Sequence, residues 1–267
     1  MNGLTAAVAD GAVVARRNLI KIKRVPELLV FTTISPIMFI LLFAYIFGSA
    51  IDPGGDVDYR EWLIAGIFAQ TVVFGSTITG AGLAEDMQKG IIDRFRSLPM
   101  SRAAVLVGRT TSDIVNNVLV IGVMALTGLA IGWRVRTSLL EALAGVLLLL
   151  LFAYALSWVM AYVGLLVPSV EVIQQASFVV IFPLTFIANT FVPTEGFPPV
   201  LRVIAEWNPV SAVTQAAREL FGNTAGIPPP DVWALQHPVL YVLLWVAVIL
   251  AVFVPLASRQ YRRAANR

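Results

Sequence analysis

Long apolar runs alternate with short polar breaks along this chain. The runs fall at about 28–48, 62–84, 111–133, 139–167, 172–192 and 237–257. Each reaches the ~20 residues that cross a ~30 Å hydrocarbon layer as a helix. The pattern predicts an all-α polytopic membrane protein with six transmembrane helices. Ser35-Pro36 is predicted to kink the first span, and Pro183 falls near the middle of the fifth. The fourth run exceeds what a bilayer requires, so it is read as tilted or projecting into the cytoplasm. Gly66, Gly75 and Gly80 on the second run, and the GxxxG pair Gly128 and Gly132 on the third, predict close helix approach.

The largest charged interruption is 85–109, EDMQKGIIDRFRSLPMSRAAVLVGR. Met87, Ile91, Phe95 and Leu98 are spaced four, four and three apart, which puts them on one face of a helix. Glu85, Asp86, Lys89, Asp93, Arg94 and Arg96 take the remaining positions. Gly90 is expected to weaken this helix without ending it, and Pro99 to terminate it. An amphipathic cytoplasmic helix between spans two and three is therefore predicted. Such a helix can dock in a groove of a partner.

Two further segments carry amphipathic patterns. Residues 1–26 are read as an interface helix lying on the membrane, with Arg16, Arg17, Lys21 and Arg24 as its basic residues and Val8, Leu19 and Ile22 turned toward lipid. A plain positive flank orienting the first span is the alternative. Residues 193–236 hold two short helical pieces, 199–206 and 209–221, each with one apolar face. Asn208-Pro209 is a strong start signal, an N-cap followed by proline at the first helical position. Neither piece can span, so they are read as a re-entrant or interfacial helical hairpin on the external side. The chain divides accordingly into the interface helix at 1–26, the transmembrane domain at 27–258 and a basic tail at 259–267.

Charge fixes the orientation. The N-terminal arm holds five Lys or Arg, the 85–109 stretch five and the tail four, out of nineteen in all. The other five, Arg60, Arg134, Arg136, Arg202 and Arg218, fall in segments read as external. By the positive-inside rule both termini are cytoplasmic. The basic balance thus reports topology, and no nucleic-acid partner is expected. With 58% hydrophobic and 13% charged residues, separate soluble domains have no room. The chain lacks cysteine and has one histidine, His237, so no disulfide and no His-based metal site is expected.

No constellation suggests an enzyme. The chain holds no G-x-x-x-x-G-K-[ST] phosphate loop, so ATP cannot be bound in that way. No carboxylate sits mid-span, which counts against an ion-coupled carrier, and no filter-like motif suggests a channel. Gln70, Thr77, Gln174, Gln175 and Asn189 are candidates for a substrate path. The plainer reading of such residues is hydrogen-bonding glue between helices. Asp113, Asn116 and Asn117 are read as local caps.

Glu85-Asp86-Met87, Lys89-Gly90, Arg94, Ser97-Leu98-Pro99 and Ser101-Arg102, together with Asn208-Pro209 before the last span, resemble the membrane subunits of type-2 ATP-binding-cassette (ABC) exporters. Within that superfamily the sequence is similar to the daunorubicin/doxorubicin-resistance permeases. The resemblance covers essentially the whole chain. It implies a permease in the bacterial plasma membrane, working as a dimer with a second copy or a sister permease. A separate ATPase subunit would carry ATP and Mg, with no cofactor bound by this chain. Glu85, Asp86, Met87, Lys89, Gly90, Ile91, Arg94, Phe95, Leu98, Pro99 and Arg102 would form the ATPase-coupling helix, and the N-terminal arm a second contact. The transported class would be amphipathic small molecules. A lipid or glycoconjugate exporter, an ATP-independent secondary carrier and a membrane scaffold are the competing readings. Dependence of transport on ATP rather than a proton gradient separates both exporter readings from the carrier.

Overall fold

The computed structural model of the chain describes residues 20, 26–48, 50–92, 104–167, 169–228 and 231–264. Only helices and turns occur among them. In chain order they are α1 (Pro26–Leu42), continued by a π-helical turn at Phe43–Phe47, then α2 (Tyr59–Gly75), α3 (Thr77–Gln88) and α4 (Ala104–Ala130). After these come α5 (Leu139–Leu166), α6 (Val170–Phe186), α7 (Pro199–Glu206), α8 (Pro209–Phe221), α9 (Trp233–Gln236) and α10 (Pro238–Ala264). Among the described residues, four stretches are long and apolar enough to cross a membrane: Tyr59–Gln88, Val105–Ala130, Leu139–Leu166 and Pro238–Arg263. Two more apolar helices, Thr33–Phe47 and Val170–Phe186, are shorter. The predicted interface helix at 1–26 lies outside the described residues, except for Ile20 and Pro26.

Local chemistry sets the helix ends. At the start of α2, Asp58 accepts a hydrogen bond from the Arg60 N–H at 2.7 Å. Ser138 and Glu141 form a capping box at the start of α5. Asn208 caps α8 by accepting from Val210 N–H at 2.8 Å, and Gly222, with φ +77°, closes its other end. Between α2 and α3 the ladder breaks at Ser76. The Ser76 hydroxyl donates to the Val73 carbonyl at 2.6 Å and Thr77 to Phe74 at 2.7 Å, competing with the main chain for those carbonyls.

The centre of the fold is α2. Leu63, Ile64, Ala65, Ile67, Ala69 and Val72 have no exposed surface at all. Around it stand α4, α5 and α8, while α10 runs along α5. The α8 helix is buried within the bundle: Val210, Ala212, Val213 and Ala216 are fully covered. Its partner α7 keeps an apolar exposed face of Val200, Val203 and Ile204.

Glycine admits the tightest approaches. A Cβ at Gly164 on α5 would meet the Gly80 carbonyl of α3 at 2.5 Å, so the two backbones touch there. A Cβ at Gly66 would collide with the Thr190 carbonyl. The GxxxG expectation is corrected. The α4 helix ends at Ala130, and Gly132 sits beyond it in a turn at φ +111°, where a Cβ would meet nothing within 4 Å. Gly128 alone faces neighbours, Trp133 and Ile64.

Three expected boundaries shift. The fifth helix ends at Phe186 rather than near 192, because the Asn189 and Thr190 carbonyls turn inward to accept from Arg218. The third begins at Ala104, inside the charged stretch, where Arg109 and Asp113 pair one turn apart on the helix itself. The last continues to Ala264, so Arg259, Arg262 and Arg263 lie on helical turns. Basic groups at a helix C-terminus complement its dipole.

Candidate functional site

At the junction of α2 and α3 five helices leave a cavity of about 340 Å³. Gln70, Thr71, Phe74 and Gly75 line it from α2, and Thr77 and Ile78 from α3. Ser35, Pro36 and Phe39 of α1 form a second side, and Asn116, Asn117 and Val120 of α4 a third. Phe178, Phe182 and Phe186 close it from α6. These three rings recur every fourth residue and so share one face of their helix. Their centroids are 5.0 and 4.1 Å apart, and the row continues through Phe191 to Phe43, at 4.9 and 4.4 Å. The volume lies in the range of small-molecule sites. Among the described residues, no ionisable side chain lines it.

Of the candidate path residues, the structure brings Gln70 and Thr77 together in this cavity. It adds Asn116 and Asn117, which the sequence suggested only as local caps. Gln174 and Gln175 are exposed near the start of α6, away from the cavity. Asn189 lies in the turn after α6, where its N–H donates to the Ser211 hydroxyl at 3.0 Å and its carbonyl accepts from Arg218 at 2.7 Å.

One turn below the asparagines, a buried charged cluster ties α3 to α4. Thr79 donates to Asp113 at 2.5 Å, and Arg109 stands 3.5 Å from the same carboxylate. The Arg109 guanidinium also donates to the Ile78 carbonyl at 2.9 Å. It lies flat against Gly82, where any Cβ would collide with it. Ile78 therefore faces the cavity while its carbonyl holds α4.

Glu85, Asp86 and Met87 occupy the last turn of α3. Glu85 pairs with Lys89 at 2.5 Å, which raises the Lys89 pKa. Met87 packs on a buried cluster that includes Leu83, Ile92, Leu106, Trp158 and Tyr261. The end of α3 is thereby anchored to the near ends of α4, α5 and α10. The expectation that Gly90 continues this helix is corrected. The helix ends at Gln88, and Gly90 takes the left-handed conformation, φ +63°, with its N–H donating to the Met87 carbonyl at 3.0 Å. A glycine in that conformation is a common way to stop a helix. Ile91 and Ile92 start a new helical piece. Arg94, Phe95, Leu98, Pro99 and Arg102 of the expected coupling helix lie outside the described residues, as do Arg16, Arg17, Lys21 and Arg24.

At the opposite end of α2 the structure holds a second polar cluster that the sequence did not reveal. Arg218 of α8 is only 1% exposed and donates to three carbonyls, of Trp62, Asn189 and Thr190, at 3.0, 2.7 and 3.3 Å. Its guanidinium lies over the Trp62 ring at 3.4 Å. Nearby, Arg136 grips Glu61 with two hydrogen bonds of 2.7 and 2.6 Å, which raises the Arg136 pKa. Asn223 donates to the Arg134 carbonyl at 3.0 Å and accepts from Trp133 at 2.9 Å. The spacing of Trp62, Asn189 and Arg218 offers no local signal for this cluster. The one sequence clue is an arginine on the apolar helix 209–221.

A bundle of apolar helices, four of those described being long enough to cross a bilayer, is the architecture of a multi-pass membrane protein. The model of the ABC-2 type transporter family matches residues 11–221, and the chain belongs to that family. It is 33% identical over 246 residues to the daunorubicin resistance ABC transporter permease protein DrrB1 of Streptomyces coeruleorubidus, across 92% of this chain and 83% of the relative. It is 27% identical over 195 residues to the probable doxorubicin resistance ABC transporter permease protein DrrC of Mycobacterium tuberculosis, across 73% and 67%. A more distant relative is the putative transport permease ycf38 of Porphyra purpurea, 23% identical over 214 residues, across 78% and 72%. The family resemblance read from the motifs holds along most of the chain.

Proposed function

We propose that this chain is the membrane subunit of an ATP-driven exporter that moves amphipathic small molecules, drugs or antibiotics among them, out of a bacterial cell. The observation that carries this reading is one continuous stretch, Tyr59–Gln88, that serves two purposes. Gln70, Thr77 and Ile78 form a wall of the cavity, and Glu85 to Met87 lie at the end of the same stretch. From Ile78 to Glu85 is seven residues, about 10 Å of helix. Force applied to that end is delivered to the cavity without passing through a flexible loop.

In this reading the chain crosses the membrane six times with both termini in the cytoplasm. The 85–98 segment, with the N-terminal arm, docks on a separate ATP-binding-cassette ATPase, which holds ATP and Mg. Two permease chains, identical or sister, pair in the membrane and alternate between inward- and outward-open states. Family membership and the similarity to the daunorubicin and doxorubicin resistance permeases support this assignment.

Uptake of a fluorescent amphipathic drug into inverted vesicles containing the chain and its ATPase tests it. ATP-dependent uptake that survives collapse of the proton gradient is expected. Uptake that follows the proton gradient and ignores ATP would replace the exporter with a secondary carrier.

A further inference from the structure

The last helix carries one exposed stripe from end to end. Leu240, Leu244, Val248 and Val252 recur every fourth residue and are between 46 and 55% exposed. Arg259, Arg262 and Arg263 follow at steps that keep them on the same side of α10, and all three are exposed. Protein covers the opposite side: Val242, Val246, Ala257 and Tyr261 are buried, and Tyr261 belongs to the cluster that anchors the end of α3. The stripe therefore runs along the side of α10 turned away from the bundle and ends in three guanidinium groups. Among the described residues, none of the three pairs with a carboxylate.

The depth of these arginines follows from the other end of the helix. There the Tyr241 ring meets the rings of Trp207, Trp233 and Trp245, and its hydroxyl donates to the Trp207 carbonyl at 2.9 Å. Tryptophan and tyrosine gather at the level of lipid headgroups. From Tyr241 to Arg262 is 21 residues, about 32 Å of helix, which matches the ~30 Å of the hydrocarbon layer. The arginines thus stand at the headgroups of the opposite leaflet, which is the cytoplasmic one in the orientation proposed above. A charge that only sets topology needs no particular face of its helix. These three continue a face that acyl chains cover, so what meets them is the polar end of the same lipids.

We infer that Arg259, Arg262 and Arg263 form a binding surface for the phosphate groups of anionic phospholipids, phosphatidylglycerol among them. Guanidinium groups hold phosphate oxygens with paired hydrogen bonds. A headgroup without an ammonium leaves its negative charge free for them, so anionic lipid is preferred over phosphatidylcholine. This surface goes beyond the exporter reading, and binding there needs no ATPase.

Energy transfer from a label beside the arginines tests the inference. The chain has no cysteine, so Ser258→Cys gives a single position for a coumarin donor. The full chain is placed in phosphatidylcholine vesicles containing a trace of phosphatidylglycerol or phosphatidylcholine with the same acceptor dye on one acyl chain. Phosphatidylglycerol is expected to be enriched about fivefold over phosphatidylcholine near the donor, the scale of one arginine–headgroup contact. Replacing Arg259, Arg262 and Arg263 together by Gln is expected to bring that ratio to about one, and Lys at the same positions to restore part of it. About 1 M salt should lower the ratio in the parent chain as well, which tests the charge without any arginine variant. Equal transfer to both lipids in the parent, or a ratio unchanged by the Gln replacements, would overturn the inference. Exclusion of both lipids from the donor, with Ser258→Cys forming a disulfide between two chains, would also overturn it and assign this face to a second copy. Failure of ATP-driven drug uptake with the lipid preference intact would instead overturn only the exporter reading.

Discussion

Arg218 lies over the face of Trp62, 3.4 Å from the ring centroid, and donates to the carbonyl of the same tryptophan at 3.0 Å. One buried cation thus binds a residue through both its ring and its main chain. With the carbonyls of Asn189 and Thr190 it joins α8, α2 and the turn after α6 into one unit. Removing the guanidinium leaves three carbonyls without their donor. Arg218→Met is expected to destabilise the folded chain by about 3 kcal/mol, the scale of breaking a buried charged network. Arg218→Lys is expected to recover less than half of that, because an ammonium neither forks between carbonyls nor stacks on the ring. Detergent-induced unfolding followed by tryptophan fluorescence measures both. Stability unchanged in the methionine variant would deny Arg218 this role.

The contact of α3 with α5 depends on backbone touching backbone at Gly80 and Gly164. Gly164→Val is expected to cost about 1–3 kcal/mol, the usual effect of overfilling a packed contact. Gly122 provides the comparison within the same fold, since a Cβ there meets nothing within 4 Å. Gly122→Val should leave the unfolding midpoint where it is. Equal effects at the two positions would mean that α3 and α5 do not cross this closely.

At Gly90 the prediction concerns motion rather than packing. A Cβ there meets nothing, so the only obstacle to substitution is the left-handed backbone at φ +63°. Gly90→Ala is expected to cost about 1 kcal/mol locally, and Gly90→Asn less, because asparagine tolerates this conformation better. The effect should appear as a lower coupled ATPase rate in the alanine variant, with partial rescue by asparagine, while the amount of assembled complex stays constant. Alanine and asparagine behaving alike would show that the conformation at Gly90 is immaterial to coupling.

Much of the helical layout was legible because membrane helices advertise themselves by length and hydropathy. The fourth run was read as 139–167 and forms Leu139–Leu166, and the short helices fall at 199–206 and 209–221 as read, the second started by its Asn208 cap. Boundaries failed where a distant partner captured the main chain. Asn189 and Thr190 look as apolar in context as any span end, yet Arg218, nearly thirty residues later, claims their carbonyls. Gly90 misled for a different reason, since the apolar spacing of Met87 and Ile91 is the same whether or not a left-handed residue lies between them. In the cavity, Gln70 and Thr77 were visible as a seven-residue repeat on one helix face. Asn116 and Asn117 were discounted because sequence cannot say whether a span-end amide finds a partner, and the phenylalanine row of α6 reads as ordinary lipid-facing surface until α1 and α4 are placed opposite it.

The most direct measurement is ATP hydrolysis by the proposed ATPase partner, reconstituted in vesicles alone, with the chain, and with Glu85→Arg or Asp86→Arg. Glu85 and Asp86 stand in the last turn of a helix whose upper part walls the cavity. The exporter reading predicts that the intact chain raises hydrolysis and that either reversal returns it to the level of the ATPase alone, with the variants still inserted in the membrane. Hydrolysis indifferent to the chain, in a complex shown to be assembled, would contradict it.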